Sequence, residues 1–157
     1  MKISNLKVLV VASALVLSIA GCSKGTDDAQ IPSGSYEMDF TDTEMAEAAN
    51  NFYRDYLMCR STDKTRTMQS CVEEDIYAHS GLNADLQNNS TAAAGTDRVT
   101  CVEGLPDRFI VDSVSAVSNN VGLAVVKIFK GSDTLTLRTA IVLEDDKPVV
   151  QHVGCPA

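Results

Sequence analysis

Few side chains in this sequence are suited to carry chemistry. Two histidines, His79 and His152, and five cysteines, Cys22, Cys59, Cys71, Cys101 and Cys155, are the candidates for proton transfer, nucleophilic attack or metal binding. His152 stands between Val150 and Val153, where a carboxylate or hydroxyl neighbour would make it an acid–base group. No such partner occurs at a fixed spacing, and neither G-x-S-x-G nor H-E-x-x-H is present. The residues therefore predict a protein that is not an enzyme. Zinc sites and redox centres use closely spaced cysteines. There is no Cys-x-x-Cys, and His152 alone lies within four residues of a cysteine, so neither a metal nor another cofactor is expected. Adjacent acids at Asp27-Asp28, Glu73-Glu74 and Asp145-Asp146 could hold a cation or assist glycoside cleavage. Neighbouring side chains point apart and no calcium-loop pattern surrounds them, so they read as solvated surface or turn. No glycine-rich loop follows a strand, which leaves nucleotide binding without support.

The start of the chain is of a different kind. Residues 1–7 carry Lys2 and Lys7 and no acid, and residues 8–20 are apolar at 11 of 13 positions. A basic start, an apolar run and small residues at its end make a secretory signal. Thirteen helical residues rise only roughly 20 Å, short of the roughly 30 Å of a hydrocarbon core, so a permanent span is disfavoured. The run ends in Ile19-Ala20-Gly21-Cys22, which resembles the lipobox of bacterial lipoproteins. That resemblance implies a signal peptide over residues 1–21, removed before Cys22, and a lipid-modified, acylated Cys22. Two or more acyl chains anchor a protein stably, whereas one is marginal. Ser23 follows the cysteine. In Gram-negative lipoproteins an Asp there resembles an inner-membrane retention signal, so Ser implies the outer membrane, facing the periplasm.

With Cys22 lipidated, four cysteines remain, an even set that in an oxidising compartment implies two disulfides. Three pairings are open. Cys59–Cys71 and Cys101–Cys155 are favoured, the first joining two helical segments and the second tying the chain's end to an early strand.

These residues need elements to position them. Residues 22–39, with Lys24, Gly25, Asp27, Asp28, Pro32 and Gly34, read as a lipidated flexible tether too polar to offset its ordering entropy. A helix over residues 42–58 is signalled by Thr41 and Glu44 at capping-box spacing and by a Phe40–Met45 staple. Met45, Ala49, Phe52, Tyr53, Tyr56 and Leu57 recur at helical period on it. Phe52 and Tyr56 are candidate ligand contacts if that face lines an open pocket, and core residues otherwise. A second helix should carry Met68, Val72 and Ile76 on one face, start from a Ser70–Glu73 capping pair and end at Gly81. Residues 83–97 read as a long polar loop with room for a helical turn. From Arg98 the period becomes two. Strands are expected at 98–103, at 109–118 with Ile110, Val114 and Ala116 on one face, and at 121–130. Two more follow, at 134–144 with Leu135, Leu137, Thr139, Ile141 and Leu143 inward, and at 149–153. Short turns between them imply an antiparallel meander.

Helices followed by a meander predict a single α+β domain over residues 40–157, its N-terminal helices packed on one face of a curved antiparallel sheet. The element order resembles the cystatin-like and NTF2-like architectures, which include enzymes, ligand binders and scaffolds. After residue 21 the chain has 11 basic and 21 acidic residues, a net of −10, which argues against nucleic acid as a partner. The expected role is a cell-envelope lipoprotein whose periplasmic domain binds a protein or small ligand. A sharper form is an inhibitor or immunity-type protein that blocks a basic cell-wall enzyme. The competing class, an NTF2-like enzyme, requires His152, Asp112 and Arg138 to converge in one concave pocket.

Overall fold

Thr41 starts the first helix by reciprocal capping. Its Oγ1 accepts the Glu44 amide at 3.2 Å, and the Glu44 carboxylate accepts the Thr41 amide at 2.7 Å. The computed structural model describes residues 41–88 and 92–156. The leader, Cys22, the tether and Phe40 of the expected staple lie outside them. Helix α1 runs Asp42–Thr62, about one turn beyond the expected end, and buries Met45, Ala48, Ala49, Phe52, Tyr53 and Tyr56. Helices α2, Met68–Glu73, and α3, Leu82–Asn88, follow, and then four strands: β1 Arg108–Ser118, β2 Val121–Lys130, β3 Asp133–Glu144 and β4 Lys147–Gly154. The strands form one antiparallel sheet in the order β1-β2-β3-β4. Helices α1 and α3 pack on it and α2 packs against both, giving the expected α+β meander.

Every hairpin turn has two residues, which fixes register. Asp145 and Asp146 both have positive φ, 51° and 60°, the requirement of a type I′ turn. This acidic pair is therefore a turn. On β3, Leu137, Thr139 and Ile141 are buried as the alternation predicted. On β1 the expected face is wrong in its first half. The register slips between Val111 and Ser113, so Asp112 is an extra residue and parity reverses across it. Phe109 and Val111 point inward with Val114 and Ala116, and Ile110 is exposed.

Two other expectations fail locally. Residues 98–103 form turns, not a strand. Asp97 Oδ1 accepts the amides of Val99 and Thr100, and Cys101 takes a positive φ of 58°. The second helix stops at Glu73 because the chain then leaves to meet β4. Ala78 bridges Val150, and the Val150 amide donates to the Tyr77 carbonyl at 2.7 Å. Its cap is Thr67, whose hydroxyl accepts the Ser70 amide, so the Ser70–Glu73 pair is not the start signal. The loop expected at 83–97 opens with the helix α3, in keeping with the helical turn allowed for it, and buries Leu82 and Leu86 one turn apart.

Candidate functional site

Both disulfides form as expected. Cys59 at the end of α1 joins Cys71 of α2, with Cα atoms 5.8 Å apart. Cys101 joins Cys155, with Cα atoms 5.6 Å apart, and fastens the chain's end to the turns before β1.

Phe52 and Tyr56 do not line an open pocket. Both are fully buried, stacked on each other, with Tyr53 edge-on to Phe52. The apolar stripe of α1 is the face turned onto the sheet, so its aromatics are core. Their hydroxyls are satisfied inside it. Tyr53 shares a hydrogen bond of 2.8 Å with Thr139, and Tyr56 donates to Asp97. Burial pushes both hydroxyls well above the ordinary tyrosine range, and for Tyr56 the negative charge of Asp97 adds to it. Arg60 approaches the same Asp97 oxygen at 3.8 Å. This cluster joins α1 to the turns that carry Cys101.

The histidines are held by carboxylates in separate places. His152 Nδ1 lies 2.5 Å from Asp85 of α3, a link between α3 and β4. His79 Nδ1 accepts the Gly81 amide at 2.9 Å, and its Nε2 lies 3.6 Å from Glu144. Ser80 donates to Glu144 through its hydroxyl and its amide, which holds that carboxyl below the usual range. The three residues on which an enzymatic pocket would depend do not converge. Asp112 pairs with Lys127 at 2.7 Å between β1 and β2. Arg138 lines a shallow depression of about 210 Å³ at the other edge, with Thr136 and Gly154. Among the described residues no group of three or more His, Cys, Asp or Glu side chains is arranged to hold a metal ion, and no helix is long and apolar enough to cross a membrane.

A concavity of about 330 Å³ lies between Arg60, Met68 and the turns of residues 95–104, and three others lie along the solvent side of α1. One of these three, about 330 Å³, is lined by the apolar Ala48, Ile76, Tyr77 and Pro148 and the polar Glu44, Glu47, Asn51 and Lys147. The next, about 310 Å³, shares Ile76 and adds Asp55, Glu74 and Asp75 beside the Cys59–Cys71 bridge. The sequence placed Ile76 on the apolar face of a helix. With that helix ended at Glu73, Ile76 is 78% exposed. Its signal in the sequence is an isolated isoleucine directly after three acids, Glu73-Glu74-Asp75.

Compared with protein-family models, with curated proteins and with solved structures, the chain matches none.

Proposed function

We propose that this is a lipid-anchored protein of the cell envelope, held through Cys22 and presenting residues 40–157 as a binding domain with no enzymatic activity. The observation that carries the reading is cysteine usage. The two bridges take Cys59, Cys71, Cys101 and Cys155, and the remaining cysteine of the sequence is Cys22, directly after Ile19-Ala20-Gly21. Disulfides persist in oxidising compartments, which agrees with export. Ser23 in place of Asp supports the outer membrane, with the domain facing the periplasm. The net charge of −10 after residue 21 favours a cationic protein or ligand and disfavours nucleic acid. The same charge supports a second reading, in which the domain blocks a basic cell-wall enzyme.

Metabolic labelling with palmitate tests the anchor. The wild-type chain should take up label and fractionate with membranes, and Cys22→Ala should do neither. Equal labelling of the variant would remove Cys22 as the attachment point.

A further inference from the structure

We propose that the groove along the solvent side of α1 docks a cationic segment of a partner protein that carries a large apolar anchor. The inference rests on the binding role proposed above and gives it a surface and a partner chemistry.

Three concavities run in series beside the helix. The first two share Ile76. The third, about 460 Å³, shares Asp55, Cys59 and Arg66 with the second and continues past Met58 to Thr62 and Asp63. Of the eight α1 residues that line them, Glu44, Ala48, Asn51, Asp55, Met58 and Thr62 follow the spacing of one helical stripe, with Glu47 and Cys59 beside it. Glu44 to Thr62 is 18 steps, roughly 27 Å at the α-helical rise. This is the length of a peptide segment, larger than a single small molecule requires.

The floor of the groove favours an apolar anchor. Large apolar side chains are seldom left exposed without a covering partner when they cluster in a concavity. Ile76 is 78% exposed and Met58 58%, and both line the groove, Ile76 together with Ala48, Tyr77 and Pro148. Ile76 is also the junction of the first two concavities, where an inserted side chain would contact both.

The rim selects the sign of the partner. Six carboxylates line the groove against two cations, Arg66 and Lys147. Arg66 pairs with Glu74 at 2.5 Å and Asp55 with Arg54 at 2.8 Å, which leaves Glu44, Glu47, Asp63 and Asp75 against Lys147. Glu47, Asp63 and Asp75 extend the negative field along the groove's length. Lysine or arginine side chains would be attracted to it, and anionic headgroups repelled, which argues for a protein occupant over the membrane surface.

The test uses the full chain in detergent and two 18-residue amphipathic probes, one of leucine and lysine and one of leucine and glutamate. Binding is read by fluorescence anisotropy and mapped by amide NMR shifts. The lysine probe should bind, its affinity should fall as salt rises, and shifts should centre on Ala48, Asn51, Ile76 and Tyr77. Ile76→Ser and the charge reversal Glu47→Lys should each weaken binding roughly tenfold or more. Both positions are on the surface, so folding is retained, as circular dichroism would verify. Val117→Ser, on β1 away from the groove, should bind as wild type. No binding of the lysine probe, equal binding of the glutamate probe, insensitivity to Ile76→Ser, or shifts centred on Ile110 and Val117 would each overturn the proposal. Anionic vesicles competing for the same shifts would overturn it in favour of the membrane. Palmitate labelling at Cys22 is independent of all these readings, so a failed groove and a failed anchor are told apart.

Discussion

Met45 of α1 fills the space where Gly122 of β2 lacks a side chain: a β-carbon on Gly122 would lie 1.9 Å from the Met45 sulfur. Gly122 is thus a point of close approach between α1 and the sheet. A glycine inside a strand costs conformational entropy, and here close packing with a fully buried methionine offsets it.

Gly122→Ala should therefore destabilise the domain by about 1–3 kcal/mol, as overpacking does. Met45→Ala alone should cost about 2–5 kcal/mol through the cavity it leaves. In the double variant the new methyl group enters that cavity, so its cost should fall below the sum of the two. Urea unfolding of the four proteins measures the coupling, and strict additivity would show that the two side chains do not compete for one space.

A second tie joins the same layers. Tyr53 and Thr139 are fully buried and share one hydrogen bond, 2.8 Å long. Tyr53→Phe leaves the Thr139 hydroxyl without that partner and should cost about 1–2 kcal/mol. Adding Thr139→Val removes the stranded group, so the double variant should be no less stable than Tyr53→Phe. A further loss of stability in the double variant would mean that Thr139 makes another contribution.

The burial of Phe52 ranks three further variants. Phe52→Ala should cost about 3–5 kcal/mol, because the ring packs against both Tyr53 and Tyr56. Thr41→Ala should cost about 1 kcal/mol through loss of the capping box. Arg54 is exposed and its ion pair is with its neighbour Asp55, so Arg54→Ala should be the least costly of the three. If Phe52→Ala proved no more costly than Arg54→Ala, the aromatic stripe would not be core.

What was legible in the sequence was local or strictly periodic. The Thr41–Glu44 cap, the apolar period of α1 and the alternation of β3 each reflect interactions within a few residues, and the structure has all three. The disulfide pairs were legible because the order of elements brings Cys59 near Cys71 and the chain's end near Cys101. What failed depended on one side chain or one distant contact. The Asp97 carboxylate captures two amides and converts an apparent strand into turns. The extra residue Asp112 reverses the parity of half of β1. The pairing of Ala78 with Val150 ends the second helix early and leaves Ile76 in solvent. The groove follows from that last, long-range event, so no local pattern announced it.

Asp75 gives the domain a pH dependence of defined sign. Its Oδ1 accepts the Tyr77 amide at 2.8 Å, while its Oδ2 is buried and has no hydrogen-bond partner among the described residues. Burial pushes its carboxyl up to about 6 from 3.8, against the pull of the Tyr77 amide; nearby, Asp55 raises it further and Arg54 lowers it. The folded chain thus holds this proton more tightly than the unfolded chain does. Between about pH 4 and about pH 6 the native state binds more protons at this site, so the site's contribution to stability falls as pH rises through that window and is level above it. Asp75→Asn keeps a carbonyl acceptor for the Tyr77 amide and carries no charge, so it should lack this decline. The side chain is only partly buried, and with solvent screening allowed for, the stability of the variant relative to wild type should rise by about 1 kcal/mol between pH 4 and pH 7. Urea unfolding of both proteins across that range is the measurement. Two curves that run parallel would mean that Asp75 titrates as it does in the unfolded chain, and that water reaches its second oxygen.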